Sequence, residues 1–288
     1  MITLDLLLHF WTMPFMVRAV IVIVTLGVTA GVVGVFVNLR GLEFLTDGLT
    51  HAVFPGIAAG VAFASSGGPF WGAAIAAAAA TAFLSLLARR GVSSDAAVAV
   101  VLVAMFSVGV VIVSRSHDAS GQLEQLLFGH LFTVSVTEVI VTAVIGALAI
   151  ATVLITVRSQ VMTAFDRDAA RAAGYRLTLV DLSLNVAIAL VVVSASIAVG
   201  NLLVIAILIV PGALARVWAR RLTSLFTIAL SFAVLGGLAG LVGAFTISVG
   251  LDIPIPPGAA IAAVFVAAYL LALLLFVIVR RPNAGGPR

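Results

Sequence analysis

Leu45-Thr46-Asp47-Gly48-Leu49-Thr50-His51-Ala52-Val53-Phe54-Pro55 puts a carboxylate and an imidazole one helical turn apart, in a segment otherwise fit for a bilayer. Residues four apart share a helix face, so the two groups aim at the same side. An ionisable side chain at the bilayer centre costs roughly 2.5–3.5 kcal/mol on insertion scales, and such groups face a partner or a water-filled path. The stretch reads as a two-ligand metal face in a membrane helix. A buried pair that merely satisfies itself is the structural alternative. Thr46 and Thr50 alongside, and Gly48, Gly56 and Gly60, which permit close helix approach, favour a translocation path.

The rest of the chain supplies the setting. Its 288 residues are 63% hydrophobic and 9% charged, and its mean hydropathy is +1.32, values that fit an all-α polytopic membrane protein and no soluble class. There is no lysine, so the 15 basic residues are all arginine, and a phosphate-binding loop of the Walker type is excluded because its lysine is required. The lack of cysteine removes disulfides, thiolate metal sites and cysteine nucleophiles. The net charge of +4 implies no nucleic-acid role, because the arginines sit at helix ends where topology accounts for them. Neither an HExxH nor a G-x-S-x-G motif occurs, and no second histidine lies near His51, which leaves a membrane enzyme little support. Met1 to Trp11 lacks a basic n-region, and no small-residue cleavage site follows it, so the first hydrophobic segment is expected to remain in the membrane.

Apolar runs set against breakers predict nine spans, near residues 16–38, 42–64, 70–88, 96–114, 134–157, 179–199, 201–216, 222–248 and 257–279. With that count, thirteen arginines fall on one side of the membrane, and Arg18 and Arg115 on the other. The positive-inside rule then places the amino end outside and the carboxyl end in the cytoplasm. Asp47 and His51 lie seven and eleven residues beyond Arg40, roughly 10–16 Å from the cytoplasmic end at 1.5 Å per residue, within the hydrocarbon core.

Two stretches break the pattern. The span 201–216 is short and carries Pro211-Gly212, a feature of segments that line binding paths as well as of kinked structural helices. Residues 116–133, with His117, Asp118, Gln122, Glu124, Gln125 and His130, form the longest external connection and read as a solvated loop, with a short helix or a partial re-entrant segment beside the pore as the alternative. Within the cytoplasmic connection 158–175, Asp166 is a plausible N-cap, Asp168 complements the helix dipole, the alanines favour helix and Gly174 suits the position after the C-cap. A short amphipathic helix at the cytoplasmic surface follows; two aspartates among its arginines favour docking to a protein over a lipid-headgroup helix, the alternative. Of the remaining polar residues, Asn38, Glu138 and Asp181 lie near span ends and read as solvated, and Asp252 reads as an external turn. Asn201 opens the short span and is a candidate to face the path. Gly27, Gly31 and Gly34 fit helix packing.

Two ligands leave a coordination sphere incomplete, which suits a protein that must release its ion. One imidazole with one carboxylate suits Zn(II), Mn(II) or Fe(II), and suits Cu(I) poorly without cysteine.

The run from Gly31 to Gly56, with Val35-Phe36-Val37-Asn38-Leu39-Arg40 and Asp47-Gly48-Leu49-Thr50-His51-Ala52-Val53-Phe54-Pro55-Gly56, resembles the "G-x-F-V-x-L-R … D-x-L-x-H-A-x-x-P-G" signature of permease subunits of zinc/manganese/iron-type ABC importers. Leu127-Phe128-Gly129, Val134-Ser135, Ala170-Arg171-Ala172-Ala173-Gly174, Gly200-Asn201-Leu202-Leu203-Val204, Ile209-Val210-Pro211-Gly212-Ala213, and Asp252 before Pro257-Gly258 continue the likeness in order. His130 departs from the small or polar residue expected there, and Glu43 has no assigned counterpart.

The resemblance implies one transmembrane permease domain over 1–288, with a helical fold like that of the vitamin B12 and siderophore importers (type II). It further implies a bacterial inner-membrane assembly of two permease copies and two cytoplasmic ATP-binding subunits, fed by an extracytoplasmic metal-binding protein. Metal in the pathway would meet Asp47 and His51. No permanently bound cofactor is implied, zinc, manganese or iron being the cargo. The loop near 164–175 would be the coupling helix, with Asp166, Ala169, Ala170, Ala173 and Gly174 coupling to the ATPase. Two other readings stand beside it: a secondary, ion-coupled carrier with Asp47 as its proton or ion site, and an ABC permease for a metal chelate.

Overall fold

The computed structural model describes residues 13–63, 67–114, 127–250 and 255–279. Among them the chain forms ten α-helices: α1 (Pro14–Arg40), α2 (Glu43–Phe63), α3 (Gly68–Arg89), α4 (Ser94–Val113), α5 (Val136–Phe165), α6 (Arg167–Ala172), α7 (Leu177–Val199), α8 (Asn201–Trp218), α9 (Leu222–Gly250) and α10 (Pro257–Val279). A single 3₁₀ turn, Leu131–Thr133, precedes α5. In hydrocarbon a helix satisfies its own backbone, so such apolar runs have no other way to cross.

Eight helices are long and apolar enough to span a membrane by length and composition. The other long helix, α2, has 21 residues and carries Glu43, Asp47 and His51, which lower its hydropathy. All nine predicted segments are helical, eight with ends within two residues. The fifth is the exception: α5 runs to Phe165 instead of 157 and has 30 residues, about 45 Å, more than a bilayer core needs. It ends at Asp166, whose extended backbone (φ −151°, ψ 107°) turns the chain.

The most covered spans are α1 and α7, and α10 is the least covered. α2 packs between α3 and α4, while α1 packs on α5, α8 and α9; α7 reaches both groups. Close approach explains the glycines. A methyl at Gly56 would strike the Gly72 carbonyl, and one at Gly34 the Leu208 carbonyl, so α2–α3 and α1–α8 meet backbone to backbone.

Two expectations need correction. Asn38 is not solvated: it is 3% exposed, and its amide donates to the carbonyls of Gly34 and Ile209, each at 3.0 Å. That bond joins α1 to α8 just before Pro211, where a helix lacks one backbone donor. Nor is the end of the connection 116–133, expected as a solvated loop, free. Leu131 is fully buried, the backbone N–H of His130 donates to the Ala198 carbonyl at 3.3 Å, and Gly129 (φ +74°) lies against Val199 and Gly200, where a side chain would clash. His117, Asp118, Gln122, Glu124, Gln125 and Asp252 lie outside the described residues.

Candidate functional site

On α2 the buried face is apolar or self-bonded. Thr46 and Thr50 are fully buried and donate to the carbonyls of Leu42 (3.0 Å) and Thr46 (2.9 Å) on their own helix. They do not join the ionisable pair. Asp47 and His51 lie on a partly open strip of α2, their side chains 33% and 26% exposed.

The pair does not satisfy itself. Asp47 Oδ1 and His51 Nε2 stand 3.5 Å apart, long for a strong hydrogen bond. His51 Nδ1 is buried with no hydrogen-bond partner, and its ring stands edge-on to Phe106 of α4 at 5.5 Å. Phe106 in turn packs on Phe54 at 5.4 Å, so an aromatic wedge orients the imidazole. Four residues beyond His51, Pro55 sits inside the helix. A proline has no N–H, so the His51 carbonyl lacks its usual α-helical partner. One turn thus offers a carboxylate, an imidazole and a freed carbonyl oxygen. Sequence reasoning passed over Pro55, although its place four residues after a candidate ligand was a readable signal.

Below this turn, toward Arg40, lies a cavity of about 500 Å³ whose wall includes Leu42, Leu45, Val98, Arg40, Arg167 and Asp181. Asp181, expected to be solvated, is instead held by two arginines. Its Oδ1 accepts from Arg40 Nη2, and its Oδ2 accepts from Arg167 Nη2 at 2.9 Å. By sequence Arg167 marks only the topology, and Arg40 marks the topology and closes the family-like motif.

The turn between α5 and α7 follows its predicted chemistry. Asp166 caps α6 by accepting from the N–H groups of Asp168 and Ala169, both at 2.9 Å. At the other end Tyr175 N–H donates to the Ala170 carbonyl (3.1 Å), and Gly174 N–H to that of Arg171 (3.0 Å). With Gly174 at φ +87° this is a Schellman stop. Ala170 is fully buried, while Asp166, Arg167, Asp168, Arg171, Ala172, Ala173 and Gly174 are exposed, leaving α6 one face to the solvent.

Two other polar residues are built differently. Asn201 is 2% exposed and its Oδ1 has no partner. It is covered, unlike the open strip on α2. Glu138, also expected to be solvated, is tied into its helix start: Oε2 accepts from Ser135 N–H at 2.7 Å, Ser135 Oγ accepts from Glu138 N–H at 3.2 Å, and Oε1 contacts His130 Nε2 at 3.1 Å. Among the described residues no three His, Cys, Asp or Glu side chains gather into a metal cluster.

The ABC 3 transport family profile matches residues 12–276. The chain belongs to that family. Within the ABC 3 transport family it is 33% identical over 230 residues to the manganese transport system membrane protein MntC of Listeria innocua, covering 79% of this chain and 80% of that one. It is 31% identical over 244 residues to the chelated iron transport system membrane protein YfeD of Yersinia pestis, covering 81% and 78%. A chain of PsaBC from Streptococcus pneumoniae, solved in complex with Fab, superposes with a TM-score of 0.80 at 26% identity over 95% of each chain. This ABC 3 transport family chain is a multi-pass membrane protein.

Proposed function

We propose that the chain is the permease subunit of an ATP-driven importer of divalent transition metal ions, with manganese or zinc as the first candidates. The observation that carries this is the part-open Asp47–His51 pair, 3.5 Å apart, with His51 Nδ1 buried and without a hydrogen-bond partner. A first-row ion about 2.1 Å from each ligand would see atoms 3.5 Å apart at an angle of about 110°. The freed His51 carbonyl is a further oxygen donor on the same turn, and oxygen and imidazole donors suit Mn(II), Zn(II) and Fe(II) alike. The manganese relatives weigh toward manganese.

The pair opens to a face of α2 and α4 that also exposes Phe44 (42%) and Val103 (62%). A second copy of the chain would cover it and close the path between two permeases. We read the whole chain as one transmembrane domain, with its amino end outside and its carboxyl end in the cytoplasm of a bacterial inner membrane. Two separate ATP-binding subunits would bear on α6 through Asp166, Ala169, Ala173 and Gly174, whereas Ala170, expected to join them, is buried against the bundle and anchors α6 instead, and an extracytoplasmic protein would deliver the ion. Asn201, with its buried orphan oxygen, is a secondary candidate ligand. ATP-driven movement of α6 would then present Asp47 and His51 alternately to the two sides.

Reconstituted uptake tests this. Proteoliposomes with the chain and its ATPase should take up free manganese only with ATP. Uptake by the isolated chain without ATP would make it a secondary carrier. If Asp47→Ala and His51→Ala leave free-ion uptake intact while the ATPase stays active, the cargo is a chelate and the metal role of the pair fails.

A further inference from the structure

We infer that Asp181 is the positioning residue that joins the short cytoplasmic helix α6 to the start of the helix carrying the metal pair, and that its ionic lock holds the cytoplasmic exit shut. The inference rests on the importer reading above.

Arg40 ends α1, three residues before Glu43 opens α2, and its side chain is only 5% exposed. A guanidinium so covered needs charged and polar partners, and it has two. It donates to Asp181 and, at 2.8 Å, to Gln160 Oε1. Gln160 is fully buried and donates onward to the Val180 carbonyl (2.8 Å) and Ser183 Oγ (3.0 Å). Arg40 is thereby anchored to both α5 and α7.

The other side of Asp181 is different. Arg167, the first residue of α6, grips both carboxylate oxygens, at 2.9 Å and 3.4 Å, in the forked arrangement that gives an arginine–carboxylate pair its directionality. Arg167 is 53% exposed, so this half of the lock is wetted and can open. One carboxylate thus has a permanent partner on α1 and a releasable one on α6.

Both arginines line the cavity beneath α2. Two guanidiniums against one carboxylate leave a net positive wall, which repels a divalent cation moving toward the cytoplasm. Moving α6 away carries Arg167 off, neutralises that wall and frees Arg40 and the α1–α2 corner to shift. The same displacement therefore unlocks the exit mechanically and electrostatically.

The test uses the assembled transporter in proteoliposomes and reads manganese imported per ATP hydrolysed, with the basal ATPase rate. Arg167→Gln and Asp181→Asn should each lower the ratio about two- to tenfold. The double variant should do no worse than Asp181→Asn alone, because both changes break the same ion pair and Arg167→Gln also removes one of the two charges that Asp181→Asn leaves on the wall, and Asp181→Glu should recover most of the ratio. Unchanged ratios in both single variants would overturn the inference, as would a double variant whose loss is the product of the two. Should Asp181→Asn fail to assemble, Arg167→Gln at the wetted rim decides alone. If the wild-type assembly hydrolyses ATP but imports neither manganese, zinc nor iron, the cargo reading fails on its own. The lock is then judged by basal ATPase rate: a common shift in both variants supports it, and unchanged rates sink it.

Discussion

Two histidine–carboxylate pairs in this chain show how the same groups serve opposite ends. His130 and Glu138 meet at 3.1 Å, and Glu138 is also bonded into a reciprocal capping box with Ser135. That carboxylate has its contacts made, and the result is a fixed helix start. Asp47 and His51 stand 3.5 Å apart with a buried ring nitrogen left unpaired. A buried polar group without a partner costs free energy, and that cost supports the proposed role of His51 as a transient ligand.

The sharpest way to break this contrast is to remove each carboxylate. Asp47→Ala or His51→Ala should lower ATP-dependent manganese uptake by at least about 10–100-fold, the loss found even for groups that only support metal ligands. Circular dichroism and the melting temperature should stay close to wild type. Equal uptake would remove the distinction between the pairs.

Pro55→Ala is subtler, because it restores the N–H that closes onto the His51 carbonyl. Helix stability should rise, and uptake should fall about tenfold if that oxygen helps hold the ion. A rise in both stability and uptake would show the carbonyl to be idle. Gly56→Val attacks the scaffold under the open pair: forcing a side chain into the α2–α3 contact should destabilise by about 1–3 kcal/mol, read as a lower melting temperature in detergent.

The closed pair predicts a smaller, purely structural effect. Glu138→Ala removes half of the capping box and should cost about 1 kcal/mol, with uptake per folded molecule within about twofold of wild type. A larger loss of uptake would make His130–Glu138 functional after all. Smallest of all is Thr50→Val, whose lost hydroxyl only bonded its own helix. Its stability should change by less than about 0.5 kcal/mol and its uptake not at all, which separates Thr50 from the ligand set.

Much of this was legible in one dimension. Nine apolar runs give nine helices because hydrocarbon permits no other hydrogen-bonding solution for a crossing backbone. The four-residue spacing of Asp47 and His51 defines a shared face before any neighbour is known. Asp166 and Gly174 mark the ends of α6 because a carboxylate cap and a left-handed glycine act through bonds only a few residues long. Local chemistry needs no tertiary partner to be read.

Other features depended on residues far apart in the chain. Asp181 looked like a solvated helix-end acid until Arg40, 141 residues away, and Arg167 converged on it. Asn38 looked exposed until α8 crossed α1 and presented the Ile209 carbonyl. The sequence alone determined the helices, their caps and the helical face bearing the candidate ligands, since those follow from periodicity and short-range bonding. Only the tertiary structure decided which polar groups find partners, because in a lipid-embedded bundle that depends on which helices pack together, and no spacing within one segment encodes it.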